Sequence, residues 1–373
     1  MKIGVPKETA SGERRVALVP DTVRTLAKRE GVDVVIESGA GVEAGHPDDQ
    51  YTEAGASVGS LADVLTADVV LRVAAPSTEE ISALKSGQTL ISHLSPWTAA
   101  DSNNALASAG VTAFAMEAIP RTTRAQAMDA LSSQATAAGY SATMIASNES
   151  GRFWGMLTTA AGTIRPAKVL VLGAGVAGLQ AIATAKRLGA IVTGFDIRRA
   201  AWEQIGSLGG RPLELDFIPD AEDEGGYARP LTDEENEQVR VALGENAAKQ
   251  DVIITTAAIP GRAAPILITA DAVANMAPGS VIVDLAAETG GNCEVTKAGE
   301  TVITENGVKV VGPTNLPSDL PGHSSQLYGK NLENLLGLMI TDEGGFNLNF
   351  EDDIIDAACI THDGQVRGER TAK

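Results

Sequence analysis

The chain is poor in the features that mark several large protein classes. Its 373 residues include two cysteines, Cys293 and Cys359, which give neither a disulfide framework nor a metal-ligand spacing. Aromatic residues make up 3% of the chain, too few for a platform that stacks nucleic-acid bases. No apolar run approaches the roughly 20 residues of a membrane helix, and the N-terminus lacks a signal peptide's apolar stretch. We therefore expect a cytoplasmic protein with no direct membrane insertion.

Positive charge is also scarce. The formal net charge of −19 argues against binding to nucleic acid or to anionic lipid surfaces. The hydrophobic content of 44% is typical of a globular protein, and a chain of 373 residues is too long for one ordinary core. The composition therefore predicts two globular domains.

A dinucleotide-binding pattern lies near the middle of the sequence. The apolar run Val169–Leu172 predicts a buried parallel strand, and three glycines follow it with the spacing G-x-G-x-x-G. In this pattern Gly173 makes the tight turn, Gly175 lets the backbone approach a pyrophosphate, and Gly178 lets the next helix pack on the sheet. The other members of the predicted phosphate-binding turn are Ala174, Val176 and Ala177.

An acidic residue completes this pattern. Asp196 ends the next apolar strand, where a carboxylate accepts hydrogen bonds from a ribose 2′-hydroxyl. The same carboxylate would repel a 2′-phosphate, so the sequence predicts NAD(H) rather than NADP(H). Ile197 and Arg198 follow directly and belong to the predicted cofactor site, although Arg198 and Arg199 weaken the preference a little.

Alternating strand and helix patterns predict an α/β fold throughout. In residues 1–125 the predicted strands are Lys2–Val5, Val34–Ile36, Val69–Val73, Thr89–Ser92 and Val111–Met116. Later strands are predicted at Asp251–Thr255, Val281–Leu285 and Val308–Val311. Residues 128–146 predict a long helix. We expect two Rossmann-like domains with parallel sheets, separated by a cleft and bridged by this helix: 1–130 plus 321–373, and 131–320.

The segment Asp216–Glu235 breaks the alternation, with eight acids and one arginine. One interpretation is a solvated surface loop. The other is a mobile lid, with Tyr227 at its tip and Gly225 and Gly226 as hinges. Under the second hypothesis Gly226 and Tyr227 belong to the cofactor site.

Three segments together resemble a known family. They are the opening Gly4–Ala17, the glycine turn Gly173–Gly178 and the segment Asp284–Asn292. With these segments the chain resembles the superfamily of alanine dehydrogenases and nicotinamide nucleotide transhydrogenases over almost its whole length. The resemblance also implies that Ala258 and Ile259, in the loop after a strand, contact the nucleotide.

The residues that alanine dehydrogenases use are only partly present. The resemblance implies an arginine, a lysine, a histidine and an aspartate for binding a small amino acid and moving its protons. Arg15 matches the first, but Ala74 stands at the lysine position and Glu288 at the aspartate position. The histidine position falls on Ser95, with His93 two residues earlier on the same strand face. A lone histidine at a strand end is more often structural, so amino-acid oxidation is the alternative function.

The transhydrogenase branch has its own loop, and this chain matches its spacing from Arg121 to Gln134. In this site Arg121 can reach a nicotinamide carboxamide oxygen, and Asp129 can hold its guanidinium. Ser132 lies three residues after Asp129, on the same face of a helix. Gln126 can point toward a nucleotide held by another protein. The alternative is an ordinary helix entrance with a surface ion pair.

The resemblance thus implies the NAD(H)-binding peripheral component of a proton-translocating NAD(P) transhydrogenase. Hydride would pass directly to or from NADP(H) on a partner component, by proximity and orientation. The implied partners are that NADP(H)-binding component, membrane-spanning subunits and a second copy in a homodimer. The chain ends without a hydrophobic stretch, so we expect a separate subunit, cytoplasmic and peripheral to the inner membrane through its partners. A non-enzymatic NAD sensor or scaffold is a further alternative.

Overall fold

The computed structural model of the protein describes residues 1–215, 217, 231–258 and 261–368. The chain folds into two compact units. One, which we call the discontinuous unit, consists of Met1–Gln134 and Pro317–Lys373. The other, the central unit, is Ala135–Leu316. The boundary at Gln134 falls inside a long helix, whose residues therefore belong partly to each unit.

The described elements alternate as an α/β fold requires. The strands are β1 (Lys2–Val5), β2 (Asp33–Glu37), β3 (Ser57–Gly59), β4 (Val69–Leu71), β5 (Thr89–Ser92), β6 (Thr112–Ala115), β7 (Leu157–Thr159), β8 (Gly162–Ile164), β9 (Lys168–Leu172), β10 (Ile191–Phe195), β11 (Arg211–Pro212), β12 (Val252–Thr255), β13 (Val281–Asp284), β14 (Thr301–Ile303), β15 (Lys309–Val311), β16 (Cys359–His362) and β17 (Gln365–Val366).

The helices separate most of these strands. They are α1 (Pro20–Leu26), α2 (Asp48–Glu53), α3 (Leu61–Val64), α4 (Thr78–Ala83), α5 (Ala100–Ser108), α6 (Ala130–Ser150), α7 (Val176–Arg187), α8 (Arg199–Ser207), α9 (Asp233–Ala247), α10 (Ala270–Ala274), α11 (Pro321–Met339) and α12 (Asp353–Ala358). None of the helices in the described ranges is both long and apolar enough to cross a membrane.

The sheet of the discontinuous unit has the order β17-β16-β6-β5-β4-β1-β2-β3 over its described residues. All pairs from β3 to β6 are parallel, which is the doubly wound order 3-2-1-4-5-6. Strand β16 pairs antiparallel with β6, and β17 with β16. Helix α11 starts with a proline at its first turn and buries Leu332, Leu335 and Met339 in the same core.

The central unit repeats this topology. Its sheet has the order β11-β10-β9-β12-β13-β15-β14 among the described strands, parallel except for the antiparallel pair of β14 with β15. Helices α6, α7 and α8 bury alanine and isoleucine side chains on one face, and α9 and α10 cover the other. The strands are continuous apolar runs because both faces are covered. The predicted pair of Rossmann-like α/β folds is confirmed.

Several predicted boundaries are shifted for identifiable reasons. Strand β4 ends at Leu71 and not at Val73, because the Val73 amide donates to the Glu8 carboxylate at 2.6 Å. The long helix begins at Ala130 and not at residue 128, because the Asp129 carboxylate accepts the amide of Ser132. It continues past the predicted end to Ser150.

Candidate nucleotide site

The predicted strand, glycine turn and helix are confirmed as β9, the turn from Gly173 and α7. Gly173 has φ of +90°, in the left-handed region that favours glycine. A Cβ atom on Gly178 would lie 1.8 Å from the Gly173 carbonyl oxygen. The Thr256 hydroxyl donates to that same oxygen at 3.0 Å. The turn is therefore closed by backbone contact and tied to the strand end of β12.

Gly175 is the N-cap residue of α7 and differs from the other two glycines. A Cβ on Gly175 would meet no atom within 4 Å, so this part of the turn is open. The side chain of Val176 is 40% exposed beside it. A helix N-terminus of this kind offers backbone N–H groups and a positive dipole end to a phosphate. This turn lies at the carboxyl end of β9, where the strand order reverses between β9 and β12, the usual ligand position in such sheets.

Helix α6 supports the same turn within the central unit. Gly139 packs so closely on the first turn of α7 that a Cβ there would lie 2.1 Å from the Ala177 carbonyl oxygen. The long helix and the nucleotide helix thus touch backbone to backbone. This contact was not anticipated from the sequence, where the glycine inside a helical pattern was the available signal.

Asp196 is brought against the glycine turn, as its sequence position required. Its Oδ2 accepts the Ala174 amide at 2.8 Å, and its side chain is buried. Arg198 folds back onto the same carboxylate: the Arg198 amide and Nε lie 2.9 and 3.0 Å from Oδ1, and Nη2 lies 2.9 Å from Oδ2. A ribose hydroxyl that binds Asp196 must therefore displace part of this pairing.

The residues around Asp196 fix its position. The Trp202 indole N–H donates to the Asp196 carbonyl oxygen at 2.9 Å. Arg199 starts α8, and its guanidinium carbon lies 5.9 Å from the centroid of the Trp202 ring. Ile197 packs on the cluster beneath α9 and α10. The sequence placed Arg198 near the site but did not anticipate that it would neutralise Asp196.

The loop after β12 is held by a residue that the sequence did not single out. The Asn292 side chain accepts the Ala257 amide at 3.0 Å and donates to the carbonyl oxygens of Ala257 and Pro265, both at 2.8 Å. Ala258 follows and is exposed. Ile259, also predicted to contact nucleotide, lies outside the described residues, as do Gly226 and Tyr227 of the predicted lid.

Asp284 is the buried anchor of this loop system. It accepts hydrogen bonds from the hydroxyls of Thr255 and Thr296 at 2.8 and 2.6 Å and from the amides of Ala286, Asn292 and Cys293. A fully buried carboxylate needs several such donors. Its function in the fold is to hold the turn that presents Asn292.

The predicted nicotinamide loop belongs to the discontinuous unit. Thr123–Met128 forms a 3-10 helix, with Arg121 and Gln126 exposed. Asp129 ends it and accepts the Ser132 amide at 2.8 Å and the Ser132 hydroxyl at 2.6 Å. The structure thus brings Asp129 and Ser132 together. Asp129, however, is the N-cap of α6, not a residue on its face, which gives the carboxylate a structural role that the sequence analysis missed.

His93 is held by two neighbours in the discontinuous unit. Its Nδ1 lies 3.4 Å from Oε2 of Glu117, and its ring stacks on Tyr328 at 5.1 Å between centroids. Burial raises the pKa of Glu117, but hydrogen bonds from His93 and from the backbone outweigh it and leave that pKa below its usual value. The Tyr328 hydroxyl donates to the Arg72 carbonyl oxygen. These contacts account for the position of His93 without a substrate.

Arg15, the other residue shared with the alanine dehydrogenase pattern, is buried and bound by protein groups. Glu13 accepts from its Nε at 2.8 Å and from its Nη2 at 2.6 Å, and Gln134 accepts from its Nη1 at 2.8 Å. Ala74 carries no polar side chain, and Glu288 is exposed. The four positions thus present no lysine, and their arginine is already engaged.

The fold and the turn at Gly173–Gly178 define an α/β protein with a dinucleotide-binding type of site. Comparison with known families then gives its membership. Residues 4–138 match the alanine dehydrogenase/PNT N-terminal domain, and residues 142–369 match the alanine dehydrogenase/PNT C-terminal domain. The chain belongs to the alanine dehydrogenase/PNT family.

Within that family the chain is more similar to transhydrogenase chains. It is 47% identical to NAD(P) transhydrogenase subunit alpha of Haemophilus influenzae, over 98% of this chain and 71% of that protein. It is 45% identical to the first polypeptide of a divided NAD(P) transhydrogenase subunit alpha of Rhodospirillum rubrum, over 98% and 97%. An alanine dehydrogenase of Mycolicibacterium smegmatis shares 30%, over 100% and 96%. The resemblance indicated by the Arg121–Ser132 loop is confirmed.

Solved structures show the same order of similarity. The crystal structure of a transhydrogenase from Sinorhizobium meliloti superimposes with a TM-score of 0.90 at 44% identity, covering 98% of this chain and 100% of that one. An L-alanine dehydrogenase gives 0.79 at 28% identity, covering 98% and 96%. The fold is thus common to both activities, and the choice between them depends on the site residues.

Proposed function

We propose that this chain is the NAD(H)-binding component of an NAD(P) transhydrogenase and exchanges hydride with NADP(H) bound to a partner component. The observation that carries the proposal is a nucleotide turn with Asp196 at its edge, in a chain whose amino-acid-binding residues are lost or engaged. Its greater similarity to transhydrogenase alpha chains supports the same function.

The nucleotide of this component is NAD(H). The Asp196 carboxylate lies at the end of β10, 2.8 Å from the amide of the glycine turn, where it accepts ribose hydroxyls and repels a 2′-phosphate. Gly175 and the N-terminus of α7 bind the pyrophosphate, and Ala258 and Ile259 contact the nucleotide from the loop after β12. Arg198 is the counter-charge that Asp196 exchanges, in part, for ribose hydroxyls.

The nicotinamide end is bound by Arg121, Gln126, Asp129 and Ser132. Arg121 donates to the carboxamide oxygen, and the Asp129–Ser132 pair fixes the loop end that carries it. Gln126 faces the nucleotide of the partner. No covalent or general-base step is required, since hydride transfer between two nicotinamides is promoted by proximity and orientation. The chain is therefore active only with its partner.

The partners are an NADP(H)-binding component and membrane-spanning subunits that move protons. The protein lies on the cytoplasmic side of the inner membrane and is attached through those subunits. Amino-acid oxidation is not supported, because Ala74 provides neither a base nor a cation and Arg15 is already bound by Glu13 and Gln134.

Hydride transfer in a reconstituted pair tests this function. We expect NADH to reduce thio-NADP⁺, a chromophoric acceptor, only when the chain is mixed with the purified NADP(H)-binding component of a transhydrogenase. The measurement is absorbance of the reduced thionicotinamide. In parallel the chain alone receives alanine with NAD⁺, and pyruvate with ammonia and NADH. Turnover of alanine by the isolated chain would show the proposal to be wrong, and inertness in every mixture would favour a sensor.

A second copy of the chain is also proposed as a partner. Strands β7 and β8 pair only with each other in the described structure and are exposed along their whole length. An isolated hairpin of this kind is marginally stable in water. It carries exposed apolar side chains at its base and on its strands: Phe153 (57%), Met156 (69%), Leu157 (37%) and Ile164 (45%). A homodimer contact would cover this surface.

Placing charge on the hairpin tests the homodimer. We expect the unchanged chain to be a dimer by sedimentation equilibrium, and Met156→Glu with Ile164→Glu to be a folded monomer, because buried unpaired carboxylates are costly at an interface. The control is Ile303→Glu on the edge strand β14, where the side chain is 68% exposed. A monomeric unchanged chain, or a doubly substituted chain that is still dimeric, contradicts the role of the hairpin.

A further inference from the structure

The loop that carries Arg121 and Gln126 is tied to the C-terminal part of the discontinuous unit through Arg124. The Arg124 guanidinium donates to both oxygens of Asp352, with Nη1–Oδ2 at 2.7 Å and Nη2–Oδ1 at 2.8 Å, and Nη2 also reaches Asp353. A bidentate arginine–carboxylate pair fixes both distance and orientation.

Asp352 is itself immobilised. Its Oδ1 accepts the amides of Ile354 at 2.9 Å and Ile355 at 3.4 Å, so it is the N-cap of α12. Both isoleucines are buried in the core of the unit. Arg124 is therefore bound to a carboxylate that cannot move without displacing the start of a packed helix.

A second tie comes from α11. The Asn331 amide donates to the Ala127 carbonyl oxygen at 2.9 Å, and the Asn334 amide to the same oxygen at 3.2 Å. The Asn331 oxygen accepts the Ser133 hydroxyl at 2.7 Å. These contacts hold the two sides of Asp129, which lies between Ala127 and Ser133. Asn331 is buried, so its hydrogen bonds are not exchanged freely with water.

The loop needs such ties because its own structure is weak. Thr123–Met128 is a 3-10 helix, whose hydrogen-bond geometry is poorer than that of an α-helix. Within it Ala125 and Met128 are buried, whereas Arg121 and Gln126 lie on exposed parts of the chain. The direction in which these two side chains point is therefore set by tertiary contacts to the loop.

The Arg124–Asp352 pair adds little to global stability. The Arg124 side chain is 48% exposed and that of Asp352 19%, and exposed ion pairs contribute little to folding free energy. The hydrogen bond from Arg124 holds the pKa of Asp352 below its usual value, so the pair is fully charged at neutral pH. A pair of this kind matters through geometry more than through energy.

We propose that Asp352 and Asn331 are positioning residues for hydride transfer, which act through Arg124 and the Ala127 carbonyl group to hold Arg121 and Gln126 toward the two nicotinamides. The proposal rests on the proposed function. It assigns to the tail of the chain a role in the reaction, although that tail contacts no nucleotide in the site described above.

Asp352→Asn is the decisive variant, because asparagine still caps α12 but no longer pairs as an ion with Arg124. Its control is Asp356→Asn on the same helix, which removes a similar carboxylate–arginine pair whose partner, Arg367, lies outside the loop. With the full chain and the NADP(H)-binding component, we expect kcat for Asp352→Asn to fall about tenfold to a hundredfold, the usual result of a small misplacement. The Kd for NADH, measured by its fluorescence, and the unfolding midpoint should match those of Asp356→Asn.

Two further measurements distinguish positioning from instability. Amide hydrogen exchange in residues 121–129 should accelerate in Asp352→Asn and not in Asp356→Asn. Arg124→Gln should lower kcat as Asp352→Asn does, and the double variant should be no worse than either, since both remove one contact. Equal kcat for Asp352→Asn and Asp356→Asn, with an active unchanged chain, would overturn the positioning role alone. Absence of transfer by the unchanged chain would overturn the proposed function and this role together.

Discussion

Gly178→Ala is expected to weaken NADH binding about a hundredfold, which corresponds to roughly 3 kcal/mol. The added Cβ would lie 1.8 Å from the Gly173 carbonyl oxygen and 2.9 Å from the Thr256 hydroxyl oxygen. The first of these is backbone, so the glycine turn and the start of α7 must separate. Such overpacking also costs about 1–3 kcal/mol of unfolding free energy. Fluorescence titration with NADH and urea unfolding measure the two effects.

Gly206→Ala is the matched control. Gly206 lies inside α8 in the same unit, and a Cβ there would meet no atom within 4 Å. We expect NADH affinity to be unchanged and stability to rise by about 0.5–1 kcal/mol, the usual gain from alanine in a helix. If Gly178→Ala binds NADH as tightly as Gly206→Ala does, the turn is not the phosphate site.

Arg121→Gln is expected to lower kcat for hydride transfer about a hundredfold, with a smaller change in the Kd for NADH. The reason is a division of roles: the glycine turn and Asp196 bind the adenosine and pyrophosphate, whereas Arg121 orients the reacting ring. Loss of an orienting contact therefore affects the transfer step more than binding. Single-turnover kinetics with saturating NADH and thio-NADP⁺ on the partner component separate the two quantities.

Arg24→Gln controls for the change in charge. Arg24 is an exposed arginine of α1 whose guanidinium lies 2.6 Å from Asp21, an ion pair of the same helix. Its loss should leave kcat and the Kd unchanged. A kcat for Arg121→Gln equal to that of Arg24→Gln would mean that the loop does not orient nicotinamide, even if the chain binds NADH.

Features encoded by local spacing were predictable from the sequence. The apolar run at Val169–Leu172, the three glycines and Asp196 specify a strand, a turn and the end of the next strand, and the structure contains each of them. Parallel strands buried on both faces are continuous apolar runs, so most of the two sheets was also visible. Helix ends were less visible, because Asp129 begins α6 as a cap and not as part of its periodic pattern.

Contacts between distant residues were not predictable in this way. The pairing of Arg124 with Asp352 joins residues 228 apart in sequence, and neither residue stands out by type or spacing. The bond of Asn331 to Ala127 is of the same kind. Arg198 was close enough in sequence to be noticed, but only the structure shows that it binds Asp196. The hairpin of β7 and β8 was missed because its strands are three residues each and have no buried face.

The discontinuous unit also determines the order in which the chain can fold on the ribosome. The amide of Ala113 in β6 bonds the hydroxyl of Thr361 in β16, a partner 248 residues later in the chain. At bacterial rates of about 5–20 residues per second, that partner is made roughly 10–50 s afterwards. The contiguous central unit is complete before then, so β6 must wait as an exposed sheet edge. The N-terminal half of the chain is therefore the part that needs protection from aggregation during synthesis.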